Sequence, residues 1–165
     1  MVLPTPLNPR KSFILGSLFR ADKSEPRIKL FRGFIGVGKT TAMLHILGEN
    51  KDKAFYFYAD NPIIQRYGIY NTVKAASRYG FTIMLIDEIH TYPNWKNELK
   101  ILTDEVPTLC IVASGSAPLA LVPERREELI CLHEMTLYEM VSLKKGETKP
   151  AKDEWKDKED RKSVV

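Results

Sequence analysis

Cysteine is almost absent from this sequence: Cys110 and Cys131 are the only two in 165 residues, and each sits inside an apolar run. That scarcity excludes a disulfide-stapled scaffold, and without a CxxC pair or a Cys/His cluster it excludes a zinc module. Both cysteines are expected to be buried, reduced thiols of an intracellular protein. Long apolar runs are also missing; none approaches the ~20 residues needed to span a bilayer. The N-terminal stretch MVLPTPLNPRKSFILGSLFR has Lys and Arg beside a short apolar patch, but not the long apolar run and cleavage site of a signal peptide. The resulting expectation is a cytoplasmic protein with no membrane partner. A strong charge of one sign is lacking as well. The 25 Lys+Arg against 21 Asp+Glu leave +4, too little to argue for nucleic acid or a membrane surface. No repeat at a solenoid-like period is present.

What is there suits a soluble core. Hydrophobic residues make up 44% of the chain, and a chain of this length can bury roughly 70% of its unfolded surface. Three zones differ in composition. Residues 1–26 carry Pro4, Pro6, Pro9 and Pro26 and read as an extended arm with one helical turn around Phe13–Phe19. Residues 27–142 alternate apolar strand-like runs with helical stretches. Residues 143–165 interleave charges around a lone Trp155, a composition that cannot offset its ordering entropy, so a charged, disordered C-terminal tail is expected.

The middle zone reads as strands at Arg27–Arg32, Ala54–Tyr58, Phe81–Ile86, Thr108–Ala113 and Glu128–Leu132. Helices are expected at Lys39–Leu47, stopped by Gly48, then from Pro62 with an interruption at Gly68, over Tyr70–Tyr79, and over Trp95–Glu105. Strands spaced by helices predict an α/β fold with a mostly parallel sheet and helices on both faces. Ligands in such folds bind at the carboxyl ends of the strands.

Gly33-Phe34-Ile35-Gly36-Val37-Gly38-Lys39-Thr40 matches G-x-x-x-x-G-K-[ST], the Walker A phosphate loop. Chance would produce such a match in about one per cent of chains of this length or fewer, and here a strand precedes it and a helix follows. Glycines let the backbone approach a phosphate closely. Successive N–H groups and the positive end of the helix then face the anion. Gly33, Gly36, Val37, Gly38, Lys39, Thr40 and Thr41 are therefore candidate nucleotide-binding residues. Lys39 would reach the β and γ phosphates, and Thr40 would ligate Mg²⁺. The run Ile83-Met84-Leu85-Ile86 ends in Asp87-Glu88. A strand beside a phosphate loop delivers an Asp to the Mg²⁺ shell, the part assigned to Asp87. Glu88 would polarise the attacking water as general base. No Asn-Lys-x-Asp motif follows a later strand, which favours ATP over GTP. Ser114-Gly115-Ser116 ends another apolar run; its hydroxyls read equally as contacts to the γ-phosphate or its water, or as an ordinary Gly/Ser turn. His45 and His133 read as packing or surface residues. His90 either touches the water or a neighbouring subunit, or serves the strand end structurally, the favoured reading. Tyr56, Phe57 and Tyr58 read as core, Asp60 ends their strand, and Trp95 packs a helix start.

GFIGVGKTT (Gly33–Thr41), LIDEIHTYPNW (Leu85–Trp95) and IVASGS (Ile111–Ser116) resemble the prokaryotic AAA+ ATPase family fourteen. His90 stands where that family usually has Gln, and Ser114 where it has Thr at the sensor position. LHEMTLYEM (Leu132–Met140) is similar to the family's L-x-P-L-S-F-x-E segment; it keeps Glu139 and departs at Glu134, Met135, Thr136 and Leu137. The resemblance implies a RecA/AAA-like P-loop NTPase sheet of strand order 5-1-4-3-2 that binds and hydrolyses ATP with Mg²⁺. It implies catalytic parts for Lys39, Glu88 and Ser114 and metal parts for Thr40 and Asp87. Arg126 is the nearest match to the arginine before the final segment. A finger acting in trans would require self-association through the nucleotide site, and a solvated Arg125–Arg126 cluster is the favoured reading. Family members continue into a helical lid where this chain has its charged tail, so a truncated form that binds ATP with little turnover is one alternative. A P-loop kinase is another. The client, whether nucleic acid or protein, is not legible.

Overall fold

Each strand of the sheet alternates in what it buries, and that alternation assigns the helices to its two faces. The computed structural model describes residues 27–116, 123 and 127–132, all of which belong to one compact unit. The expected N-terminal arm, Arg125, Arg126, the segment after Leu132 with His133, and the charged tail lie outside the described residues. The strands are β1 (Ile28–Arg32), β2 (Ala54–Tyr58), β3 (Ile83–Asp87), β4 (Cys110–Gly115) and β5 (Glu127–Cys131). Between them run α1 (Lys39–Glu49), α2 (Pro62–Tyr67), α3 (Ile69–Arg78) and α4 (Trp95–Glu105). The sheet order is β2-β3-β4-β1-β5 with every pairing parallel. Read from the other edge, this is the 5-1-4-3-2 order that the resemblance implies.

Ile28, Leu30, Phe57, Met84, Ile86, Ile111 and Ala113 point to one face, where Ile69, Val73 and Ala76 of α3 and Trp95, Leu99 and Leu102 of α4 complete the core. Trp95 thus packs the start of α4 as expected. Residues of the opposite parity, Phe31, Leu85, Asp87, Val112 and Ser114, turn to the other face. The buried face of α1, formed by Ala42, Met43 and Ile46, covers them. The interior strands β3 and β4 are buried almost throughout, as a parallel sheet covered on both sides requires. The edge is bound by a charge pair: Lys29 is buried on β1, sits in register with Glu128, and donates to its Oε2 at 2.9 Å.

Several element ends differ from expectation. Gly48 does not stop α1, which runs on to Glu49; the backbone N–H of Asn50 then caps the carbonyls of Ile46 and Leu47, and its side chain also donates to Ile46. The left-handed turn that makes glycine a stop occurs instead after α3, at Gly80 with φ 93°. β4 begins at Cys110 and extends to Gly115, because β1 continues as far as Arg32 and pairs with it there. The cysteines are not both buried. Cys110 is half-buried at the start of β4, and Cys131 is exposed on edge strand β5, where an apolar run has neighbours on one side only.

α3 and α4 are joined by polar contacts at their rim. Glu105 accepts from Lys74 Nζ and from the Tyr70 hydroxyl, each at 2.7 Å. These hydrogen bonds, Lys74 first, hold the Glu105 carboxyl below its ordinary 4.5. A depressed carboxylate contributes stability above its unfolded pKa and loses it as pH falls through the folded value. The Glu105 carboxyl carbon, followed by NMR through an acid titration, is expected to titrate below pH 4.5. Lys74→Met should return the midpoint toward that value.

Candidate functional site

The carboxyl ends of β1, β3 and β4 meet over the start of α1, and the phosphate-loop residues, the paired acids and the two serines gather there. The loop leaves β1 at Arg32 and enters α1 at Lys39. Gly38 makes that entry with φ 88°, a left-handed angle that costs a side-chain-bearing residue roughly 1–2 kcal/mol. The first N–H groups of α1 have no acceptor within the helix, so the loop ends in donors at the positive end of the helix dipole. Lys39 is buried, and its ammonium donates to the carbonyls of Gly33 at 2.9 Å and Phe34 at 3.1 Å. Val37 is buried beneath the loop, while Phe34, Ile35 and Gly36 stand exposed at its tip. Thr40 and Thr41 are half-buried on the first turn of α1.

Gly33 is fixed by a neighbouring strand. A Cβ there would run into the carbonyl oxygen of Leu132, just past β5, and would come within 2.8 Å of Val37 Cγ2. Leu132 is held in place by its N–H, which donates to the Arg32 carbonyl at 2.7 Å.

Asp87 is fully buried at the end of β3. A buried carboxylate must be paired or hydrogen-bonded to remain charged, and this one accepts four hydrogen bonds. Oδ2 takes the Thr40 hydroxyl at 2.7 Å and the Tyr56 hydroxyl at 3.0 Å. Oδ1 takes the Glu88 backbone N–H at 3.1 Å and the Ser114 hydroxyl in a short contact. Burial, the hydrogen bond with Tyr58 and the nearby Asp87 charge all push the Tyr56 phenol well above its ordinary range, so it is a neutral donor. Thr40 and Asp87 are hard oxygen donors side by side, the set that suits Mg²⁺ alongside substrate phosphates and water. No group of three or more His, Cys, Asp or Glu capable of holding a metal exists among the described residues, and a Mg²⁺ site completed by phosphates does not need one.

The two adjacent acids have different surroundings. Glu88 follows Asp87 at a left-handed φ of 53°. Non-glycine residues held at such angles are strained and cluster at functional sites. The turn sends the Glu88 side chain out of the sheet, where Oε1 lies 3.2 Å from the Ser116 hydroxyl. Its Oε2 lies 3.2 Å from His90 Nδ1, a spacing without hydrogen-bond alignment, as that buried nitrogen has no hydrogen-bond partner. His90 is the middle residue of a short 3₁₀ turn, Ile89–Thr91.

Ser114, which the resemblance puts at the sensor position, is fully buried with its hydroxyl donating to Asp87; Ser116, two residues on, is the hydroxyl beside Glu88. Tyr56 was expected in the core and stands at the carboxylate instead. Phe57 alone of the aromatic trio is buried, and Tyr58 is exposed. The aromatic run in β2 does not betray this, because which parity faces Asp87 depends on the pairing of β2 with β3. His45 is half-buried on α1 and Asp60 is exposed beyond β2.

A phosphate loop between β1 and α1, with the acid-tipped β3 separated from β1 by one strand in a parallel 5-1-4-3-2 sheet, defines a P-loop ATPase core of the AAA+ class. The AAA domain family model matches residues 25–148, well over half of the 165 residues. The chain belongs to that family, as its resemblance to family fourteen implied. Two solved AAA+ structures share the fold. The Holliday junction branch migration motor RuvB of Thermotoga maritima superposes with a TM-score of 0.57 at 20% identity, over 86% of this chain and 52% of its own. A structure giving the basis of katanin self-assembly superposes with a TM-score of 0.53 at 20% identity, over 78% of this chain and 51% of its own. The chain spans about half the length of both. No curated protein matches it. Among the described residues no helix is long and apolar enough to cross a membrane.

Gly33→Ala forces the loop away from Leu132. Overpacking of this kind costs about 1–3 kcal/mol, expected as a fall in Tm of about 2–4 °C for each kcal/mol in thermal unfolding followed by circular dichroism. An unchanged Tm would mean that the loop and Leu132 are not in contact.

Proposed function

We propose that this chain binds ATP with Mg²⁺ and hydrolyses it to ADP and phosphate in the cytoplasm. The observation that carries the reading is the 2.7 Å hydrogen bond between Thr40 of the phosphate loop and Asp87 of β3, with Lys39 and Glu88 on either side. The N–H groups of Gly36, Gly38, Lys39, Thr40 and Thr41 take the phosphates, with Gly33 and Val37 shaping the loop. Lys39 exchanges its two carbonyl acceptors for phosphate oxygens. Thr40 would hold Mg²⁺ through its hydroxyl lone pairs, with Asp87 fixing that hydroxyl through Oδ2, and the cation would supply charge neutralisation at the phosphates. Glu88 takes a proton from water as the water oxygen bonds to the γ-phosphorus. The bond from that phosphorus to the β–γ bridging oxygen breaks, and ADP leaves with its electron pair. Ser114 acts through Asp87, as a positioning residue. Ser116 lies where it can orient Glu88. Self-association through the nucleotide site is part of the reading, and the katanin structure, which concerns self-assembly, supports it by analogy of fold.

Phosphate release, ATP calorimetry and size-exclusion chromatography on the same preparation test the reading. Glu88→Gln should lower kcat by at least ~100-fold, the scale of a lost general base, while ATP still binds; Lys39→Ala should abolish binding. Turnover equal to wild type in both variants refutes ATPase activity at this site. ATP binding with no release by the wild type would leave a nucleotide-binding module, and transfer to an added small-molecule acceptor in place of water would make it a kinase. A larger particle with ATP than without reports the self-association.

A further inference from the structure

The Asp87 carboxylate takes its four hydrogen bonds from four separate places. Thr40 belongs to the phosphate loop, Glu88 is the adjacent acid, and Ser114 lies buried on the neighbouring strand. Tyr56 is a half-buried aromatic on β2 whose hydroxyl reaches into the site. We infer that Tyr56 is a positioning residue for the metal carboxylate, setting the affinity for Mg²⁺ and not the affinity for the nucleotide's phosphates. The inference rests on the reading that Asp87 serves Mg²⁺.

The geometry explains why a tyrosine is needed. Tyr58, not Tyr56, is the register partner of Asp87, and Tyr56 pairs with Leu85. Tyr56 therefore sits diagonally, two residues back on the same face. A long aromatic side chain spans that diagonal, and the Tyr56 hydroxyl reaches Asp87 Oδ2 at 3.0 Å. Tyr58 stacks edge-on against the Tyr56 ring, with centroids 5.2 Å apart and planes at 80°, and so limits the ring's swing.

The chemistry concerns one oxygen. A carboxylate oxygen offers two acceptor sites, and both on Oδ2 are taken, by Thr40 and by Tyr56. With its proton on Oδ2, the Thr40 hydroxyl keeps its lone pairs for a cation. That orientation holds only while Oδ2 stays in place. The Thr40 hydroxyl rotates freely about its own bond, whereas the phenol is carried on a ring braced by Tyr58. Removing the phenolic donor leaves Oδ2 with a single, rotatable partner. Outer partners of metal ligands typically account for 10–100-fold in metal affinity.

The test is calorimetric titration of ATP into the full chain, first with excess chelator and then over a series of Mg²⁺ concentrations. It is run on wild type, Tyr56→Phe and Asp87→Asn. Each protein yields a ratio of metal-bound to metal-free ATP affinity. Tyr56→Phe keeps the ring and its packing and removes the hydroxyl, with its bonds to Asp87 and Tyr58. It is expected to bind metal-free ATP within about twofold of wild type and to lose about tenfold in the ratio; Asp87→Asn should abolish the metal enhancement. A Tyr56→Phe ratio equal to wild type, with Asp87→Asn losing its enhancement, overturns the inference and leaves the metal reading standing. Loss of metal-free ATP binding in Tyr56→Phe also overturns it, since the hydroxyl would then be holding the fold. A wild-type ratio in Asp87→Asn defeats the metal reading and the inference with it.

Discussion

One carboxylate, that of Asp87, is removed from water at the middle of this sheet, and the surrounding architecture is arranged to keep it charged there. A buried unpaired carboxylate is costly, so all four of its acceptor sites are filled. The donors come from α1, β2, the turn after β3, and β4. Bringing those four together requires β3 to lie between β2 and β4, and the phosphate-loop helix to cover that face. The sheet order meets the requirement. The apolar parity of the strands supplies the other half: while Met84 and Ile86 pack against α3 and α4, Leu85 and Asp87 are turned toward α1. Fold and site are therefore consequences of one alternation.

The same turn separates two neighbouring carboxylates. Asp87 ends the strand, buried and saturated with donors. Glu88 takes a left-handed backbone angle of 53° and leaves the sheet, meeting Ser116 and His90 at its half-exposed tip. One acid is thereby fixed among its donors, and the other retains access to water. A similar economy applies at the loop. Gly33 is closed in by Leu132 from β5, and Gly38 turns the chain into α1. Leu132, just past edge strand β5, sets the room available to the first loop glycine. Lys29, paired with Glu128 in register, ties that strand to β1.

Much of the fold was legible because its signals are local. β2 and α4 lie where the residue pattern places them, and the other strands shift by one or two residues. Those shifts follow from pairing: β4 extends to Gly115 because β1 supplies a partner there, something β4 cannot encode alone. Gly48 was misread as a stop, since glycine permits a left-handed turn but does not impose one. Cys131 was misread as buried, since apolar character does not reveal that a strand lies at an edge. In the site, Gly33, Lys39, Thr40, Asp87 and Glu88 were legible from motif spacing. The contact of Tyr56 with Asp87 was not, because it depends on a diagonal between strands, and neither was the burial of Ser114 against Asp87, because strand parity turns it inward.

The sequence by itself determined that a phosphate loop joins a strand to a helix and that an apolar strand ends in two acids. It also determined that strands and helices alternate as in a parallel sheet. Each of these is written in neighbouring residues, as glycine spacing, periodicity and the chemistry of one segment. The tertiary structure decided which hydroxyls surround Asp87, which serine is buried and which faces Glu88, and that the end of β5 closes on Gly33. Those outcomes depend on contacts between segments distant in the chain, such as Tyr56 with Asp87 and Leu132 with Gly33. Register and parity, properties of strand pairs and not of strands, are what bring them together.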